Sequence, residues 1–256
     1  MISGFSDDEI LHEALIAPRG ALVPLADTTI IERLGWWQIV TPSLTRGGMN
    51  EIACTELPDA TADAIIDASI ETYRKLGIRF RWTVAPGTRP ADLADRLARR
   101  GLQRSEAMVM ARATRGVTDE DAAGITIDEV DLAHVDELTR VMAEGWEADA
   151  APLDVLHRRM LADPGRRNRS FVARLEGVAA AAASYVALDR SAYLIGAVVL
   201  PASRGRGLYR ALVNARLRHA EAHGLTLATS LARAETSAPI LARLAFRAVS
   251  PIAVFS

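Results

Sequence analysis

From residue 125 onward, apolar positions switch repeatedly between a two-residue spacing and a three-to-four-residue spacing. Ile125-Thr126-Ile127 alternates as a short strand, and Leu132, Val135, Leu138 and Met142 then recur at helical intervals, which predicts a helix capped by Asp131 and running to about Ala143. A second helix is predicted over 153–161, stopped by Asp163-Pro164-Gly165. Segments 170–175 and 178–188, joined by Glu176-Gly177, read as a hairpin, and 192–200, rich in β-branched and aromatic residues, as a further strand closed by Pro201. After a loop of glycines and arginines, 208–223 is helical up to Gly224. A strand over 225–231, a short helix over 237–244 and a last strand over 246–255 complete an α/β order in which helices return onto one sheet.

The first half repeats the end of that order. A helix over 61–76 stops at Gly77, a strand follows over 78–84, then a helix over 90–100, Gly101-Leu102, and a strand through Met108-Val109-Met110. Gly224 follows Gly77 by 147 positions and Ala245 follows Gly101 by 144, so the pattern recurs at a nearly constant offset. An internal duplication is expected, with one domain over 1–115 and a second over 122–256. Between them, 114–121 is polar and free of pattern, the character of a linker.

Composition narrows the function classes. The chain has 256 residues, half of them hydrophobic and 24% charged, with a net charge of −2; that balance argues against a protein built to neutralise a nucleic-acid backbone. Cys54 is the single cysteine, so neither an intramolecular disulfide nor a cysteine-based zinc site can form within the chain. The five histidines, His12, His134, His157, His219 and His223, lack metal-ligand spacing, and no metal is expected. The N-terminus has neither a basic start nor an apolar run, and the most apolar stretch, 178–183, is too short to span a bilayer. One lysine, Lys75, among many arginines suggests a GC-rich bacterial genome. A soluble, cytoplasmic protein without a membrane partner is the expectation.

The segment that carries chemistry is Val198-Val199-Leu200-Pro201-Ala202-Ser203-Arg204-Gly205-Arg206-Gly207-Leu208-Tyr209-Arg210-Ala211-Leu212, a strand, a glycine-rich turn and a helix. Two glycines let successive amides point into one concavity, and the helix adds unpaired N–H groups and the positive end of its dipole. Such a nest suits a pyrophosphate, with Arg204, Arg206 and Arg210 adding charge. No Lys-Ser/Thr follows, which excludes a triphosphatase loop, and Arg210 occupies the third-glycine position of a dinucleotide fingerprint.

Val-x-x-Pro-x-x-Arg-Gly-x-Gly at a strand end, followed by Ala-Leu in a helix, resembles the acetyl-CoA motif of the GCN5-related N-acetyltransferases, the GNAT superfamily. The run from Thr236 through Pro239 and Leu241 to Ala245-Phe246 resembles that family's closing motif, with Ala245 in place of a glycine. The resemblance covers roughly 125–256. It implies that amides of Arg204, Gly205, Arg206, Gly207, Leu208, Tyr209 and Arg210 hold the CoA pyrophosphate. It further implies that Val198, Val199 and Leu200 bond the pantetheine and that the Val199 amide faces the thioester oxygen. Ser237 stands where many members carry a cofactor-contacting asparagine; a helix N-cap is its other role.

The resemblance implies direct acetyl transfer from acetyl-CoA to an amine-bearing small molecule or protein in a ternary complex, and leaves room for a homodimer. Leu241 occupies the position of the tyrosine that protonates the departing thiolate in many members. Tyr193 or Tyr209 is the available substitute, and Glu144, in the connection between the first two helices, the candidate base. Without that acid, an acyl-CoA-binding sensor or regulatory protein is the alternative.

The first half has no such loop: the strand Glu51-Ile52-Ala53-Cys54 runs into Thr55-Glu56-Leu57-Pro58-Asp59, acidic and without glycine. As a fold class, the sequence therefore predicts α/β, two GNAT-like domains with mixed, mostly antiparallel sheets, the first a degenerate copy. Trp36-Trp37 and Phe80-Arg81-Trp82 are sheet aromatics that could also line an acceptor cleft.

Overall fold

The structure is a computed structural model that describes residues 2, 4–46, 49–117 and 124–256; half of the predicted linker, 118–121, lies outside the described residues. Two elements precede those read from the sequence. Helix α1 (Asp7–Leu15) is started by a capping box in which the Ser6 hydroxyl accepts from the Glu9 amide and the Glu9 carboxylate accepts from the Ser6 amide. It buries only Ile10, Ala14 and Leu15, too few apolar positions to stand out in the sequence. A single 3-10 turn, Ala17–Ala21, follows it.

The first half continues as β1 (Thr29–Arg33), β2 (Trp36–Val40), β3 (Glu51–Ala53), α2 (Asp59–Leu76), β4 (Arg81–Val84), α3 (Leu93–Arg99) and β5 (Arg104–Ala113). The second half runs β6 (Ile125–Glu129), α4 (Val135–Trp146), α5 (Ala150–Ala162), β7 (Asn168–Leu175), β8 (Val178–Ala187) and β9 (Ser191–Val199). It closes with α6 (Leu208–Ala222), β10 (Leu227–Arg233), α7 (Ser237–Arg243) and β11 (Arg247–Phe255). Asp131 is not the cap of α4: its carboxylate accepts from the Ala133 and His134 amides, closing a turn ahead of a helix that begins at Val135.

The eleven strands form one sheet in the order β1-β2-β3-β4-β11-β5-β10-β9-β8-β7-β6. Among the named strands of the described residues, β3–β4 and β9–β10 pair in parallel and the other pairs are antiparallel. The repeat is visible as β3-α2-β4-α3-β5 against β9-α6-β10-α7-β11, with the parallel pair at the same place in each. The last strands are exchanged: β11 lies against β4, and β5 lies against β10, so each half ends in a strand paired with the other half's sheet. Separating the halves therefore means breaking strand ladders, not merely parting two packed surfaces.

Helices cover both faces of the second half. Ala181 and Ala183 of β8 pack under α6 with Leu212 and Leu217, while Ala179 and Ala182 meet α4 through Leu138 and Met142. The alanine run read as a hairpin strand is thus a central strand buried on both faces, where small side chains let two helices approach closely. His157 on α5 is buried against Thr139 of α4 at 2.9 Å, and burial pushes its imidazole down to about 4, so it stays neutral near pH 7. The α4–α5 pair also packs on the first half, where Ala143, Leu153 and Leu156 share one cluster with Trp37, Ile39 and Ala53.

Candidate active site

Strands β9 and β10 pair over Ser191–Leu194 and Leu227–Ser230, and then separate. Beyond that point β9 follows β8, with Val199 opposite Ala181, while β10 follows β5, with Arg233 opposite Ala107. The result is a fork in the sheet. The Leu200 amide donates to Ala180 on the β8 side at 2.9 Å. Backbone groups alternate sides along a strand, so the Val199 N–H faces the opening.

One close contact and one left-handed glycine shape the β9 arm. Gly145 of α4 lies so near that a Cβ there would sit 1.9 Å from Val198 Cγ2, so only glycine lets the helix seat on the strand. Gly196 has φ 67, and a Cβ on it would come within 3.7 Å of the Trp146 ring. Neither glycine stands out in the sequence, since each contact is made across the fold.

The loop after β9 makes one 3-10 turn, Pro201–Ser203, and then passes through Gly205 at φ 75 and Gly207 at φ 87 into α6. The Ser203 and Arg204 amides close that turn on Leu200 and Pro201. Among the described residues, the amides of Gly205, Arg206, Gly207, Leu208, Tyr209 and Arg210 find no backbone acceptor; Ala211 is the first to bond, to Gly207 at 3.0 Å. These are unsatisfied N–H groups at the positive end of a helix of 15 residues. Arg204, Arg206 and Arg210 are exposed around them, Arg204 donating to the Val199 carbonyl at 3.3 Å and Arg206 lying 3.6 Å from Glu176. A Cβ on Gly205 would meet no protein atom within 4 Å, so the concavity is open.

The corresponding loop of the first half is closed. The Glu56 amide donates to Gly35 at 2.6 Å, the Leu57 amide to Arg89 at 3.0 Å, and the Thr55 hydroxyl accepts from the Trp82 indole at 2.9 Å. Its Glu56 and Leu57 donors are spent on the protein itself, and Pro58 precedes α2 without any glycine turn.

The other candidates are dispersed. Tyr193 lies buried on β9 among Ala21, Val186 and Leu188; burial raises its hydroxyl to about 12, with Glu51 adding to the rise. Tyr209 is half-buried at the start of α6, and burial raises its hydroxyl too. Glu144 sits in the last turn of α4, not in the connection after it, exposed and 3.5 Å from Arg140. Ser237 is the first residue of α7 and Thr236 the N-cap; the Ser237 hydroxyl accepts from the Arg233 amide at 2.8 Å, tying α7 to the end of β10. Leu241 is buried in the α6-side core. Ala245 has φ 62, a conformation that suits the glycine of the motif it resembles.

The sequence profile of the acetyltransferase (GNAT) family matches residues 133–246, the stretch that contains the fork, the loop and α7. The second half is a GNAT acyltransferase domain. A GCN5-related N-acetyltransferase from Kribbella flavida shares the fold at 18% identity and TM-score 0.65, over 94% of this chain and 95% of that one. A tandem GNAT protein from the clavulanic acid biosynthesis pathway matches at 14% identity and TM-score 0.57, over 100% and 96%. A functionally unknown conserved protein from Staphylococcus epidermidis matches at 11% identity and TM-score 0.69, over 99% and 97%. Identities this low speak for the fold alone. No significant match was found among curated protein sequences.

The GNAT fold, in a tandem arrangement, accounts for the repeat. Among the described residues no group of three His, Cys, Asp or Glu could hold a metal ion, and no helix is long and apolar enough to cross a membrane. The family's CoA-binding role fits the donors present: open N–H groups, positive charge around them, and a free strand edge leading inward.

Proposed function

We propose that residues 122–256 bind acetyl-CoA and transfer its acetyl group to an amine in a ternary complex, and that residues 1–115 are a degenerate GNAT-like unit that keeps the fold but not the cofactor loop. The observation that carries this is the run of unbonded amides from Gly205 to Arg210, continuous with the fork between β9 and β10. Acetyl-CoA supplies an activated acetyl group, whose carbonyl carbon accepts the amine lone pair as the C–S bond breaks. The loop amides take the pyrophosphate and the exposed arginines add charge. The arm Val198, Val199 and Leu200 offers its edge to the pantetheine, and the Val199 N–H meets the charge developing on the carbonyl oxygen. Ser237, bonded to Arg233, fixes where α7 meets the cofactor arm. Glu144 acts on the acceptor's proton through water.

Tyr193 keeps its proton at any working pH, because burial has raised it to about 12, and so it is available as a donor. Its help is not essential in this account: a thiol has a pKa of ~8.5, so a thiolate is a tolerable leaving group, and general-acid assistance is worth about 10²- to 10⁴-fold. Tyr193→Phe and Tyr209→Phe are each expected to leave measurable transfer. The test is release of free CoA thiol from acetyl-CoA with an amine panel. Amine-dependent release supports transfer. Tight acetyl-CoA binding with no release for any amine favours a sensor, the reading that the aliphatic Leu241 supports.

A further inference from the structure

Against the fork, on the side of the first half, lies a cavity of about 410 Å³ whose lining includes Arg19, Arg33, Trp36, Trp37, Cys54 and Glu32. Its position follows from shared neighbours. The turn Ala17–Ala21, which supplies Ala17, Arg19 and Gly20 to the lining, packs on Tyr193 of β9, in the paired stretch below the fork, and on Leu231 of β10, just past it. Trp37 and Cys54 share a cluster with Trp146, the ring that abuts Gly196 on β9. The cavity thus lies beside the turn that packs on the base of the fork, and its walls come from the half without a glycine-rich loop.

The lining is selective in its chemistry. Arg19 stacks over Trp37 at 5.0 Å and Arg33 over Trp36 at 5.2 Å, which presents two planar guanidinium groups on two indole faces. The nearest carboxylate to Arg19, Glu51, is 3.5 Å away and is shared with Arg81 at 3.3 Å and the Thr83 hydroxyl at 3.0 Å. The buried Arg19 Nε has no hydrogen-bond partner, a costly vacancy on a charged donor. Arg33 is exposed and forms no ion pair among the described residues. Among the described residues of the lining, Glu32, exposed on β1, is the one carboxylate against two arginines, with Glu51 and Glu56 behind the wall near Cys54. The volume falls in the range of small-molecule sites.

We propose that the acceptor is a small amine that also bears a carboxylate. Arg19 and Arg33 take the carboxylate through their guanidinium groups at the cavity wall, and the carbon skeleton lies against Trp36 and Trp37. The inference rests on the acetyl-CoA reading of the second half. In the step it serves, the neutral amine nitrogen forms a C–N bond to the acetyl carbon, the C–S bond breaks with its electron pair on sulfur, the nitrogen loses one proton to solvent and the thiolate takes one up. Amide and free CoA are the products.

The test uses the intact chain, acetyl-CoA and amines in matched pairs with and without the carboxylate: phenylalanine with phenethylamine, tryptophan with tryptamine, and aliphatic counterparts. Acetyl-CoA affinity is measured separately by calorimetry. The expected result is a kcat/KM at least tenfold higher for the carboxylated members. Arg19→Gln should level the pairs without altering acetyl-CoA affinity. Arg33→Gln, at an exposed position that the fold does not depend on, should reduce the preference severalfold. Equal rates within pairs, a preference for the plain amines, or normal acetyl-CoA binding with no carboxylated amine accepted would overturn the proposal. Absence of acetyl-CoA binding would instead overturn the reading on which it rests.

Discussion

Gly205→Val and Gly207→Val are each expected to weaken acetyl-CoA binding by about a hundredfold or more, roughly 2.7 kcal/mol, in a protein that is destabilised but still folded. Both glycines have positive φ, 75 and 87, where a β-branched residue is strained by about 1–3 kcal/mol. At Gly205 the protein offers no steric objection, since a Cβ there meets nothing within 4 Å. The added side chain would fill the concavity over the open amides, which is the volume assigned to the pyrophosphate. A titration calorimeter reads the affinity and circular dichroism reads the fold. Unchanged affinity in a folded variant would remove the loop from the site.

Gly145→Ala is the second large effect, and it acts away from the ligand. In an ordinary helix this change gains about 0.8–1.0 kcal/mol of propensity. Here the new methyl would stand 1.9 Å from Val198 Cγ2 and 3.2 Å from Val198 Cβ, so α4 and the β9 arm must part. Overpacking of this kind costs about 1–3 kcal/mol, and the arm that moves is the one whose Val199 amide meets the thioester. Transfer should fall at least tenfold with a lowered Tm. Val198→Ala removes the clashing Cγ2 and should restore much of both in the double variant, because the two residues are in direct contact. A Gly145→Ala protein as stable and active as the parent would show that the contact does not position the arm.

Much of this site is legible in the chain because its parts are local. The loop is a contiguous run in which glycine spacing and the following helix together dictate the nest, and α6 begins at Leu208 as the pattern predicts. The parallel pairs and the repeat follow from element order. What escapes is what depends on distant partners. Strands β5 and β11 have the same alternating character, so nothing local decides which half each joins, and the exchange is settled only by the sheet as a whole. Gly145 and Gly196 acquire meaning from Val198 and Trp146 across the fold. Helix α1 and the turn that carries Arg19 bury few residues, so periodicity gives them little signal, yet that turn packs on Tyr193 and Leu231 beside the fork. Trp36 and Trp37 read as sheet aromatics, which they are, and they line a cavity as well.

The most direct measurement of the central claim is a calorimetric titration of the intact chain with acetyl-CoA. One equivalent per chain is predicted, because the second half exposes six unbonded loop amides while the first half has spent the Glu56 and Leu57 donors on Gly35 and Arg89. That single site should disappear in the Gly205→Val, Gly207→Val double variant. Two equivalents, none, or one equivalent that survives the double variant would contradict the account.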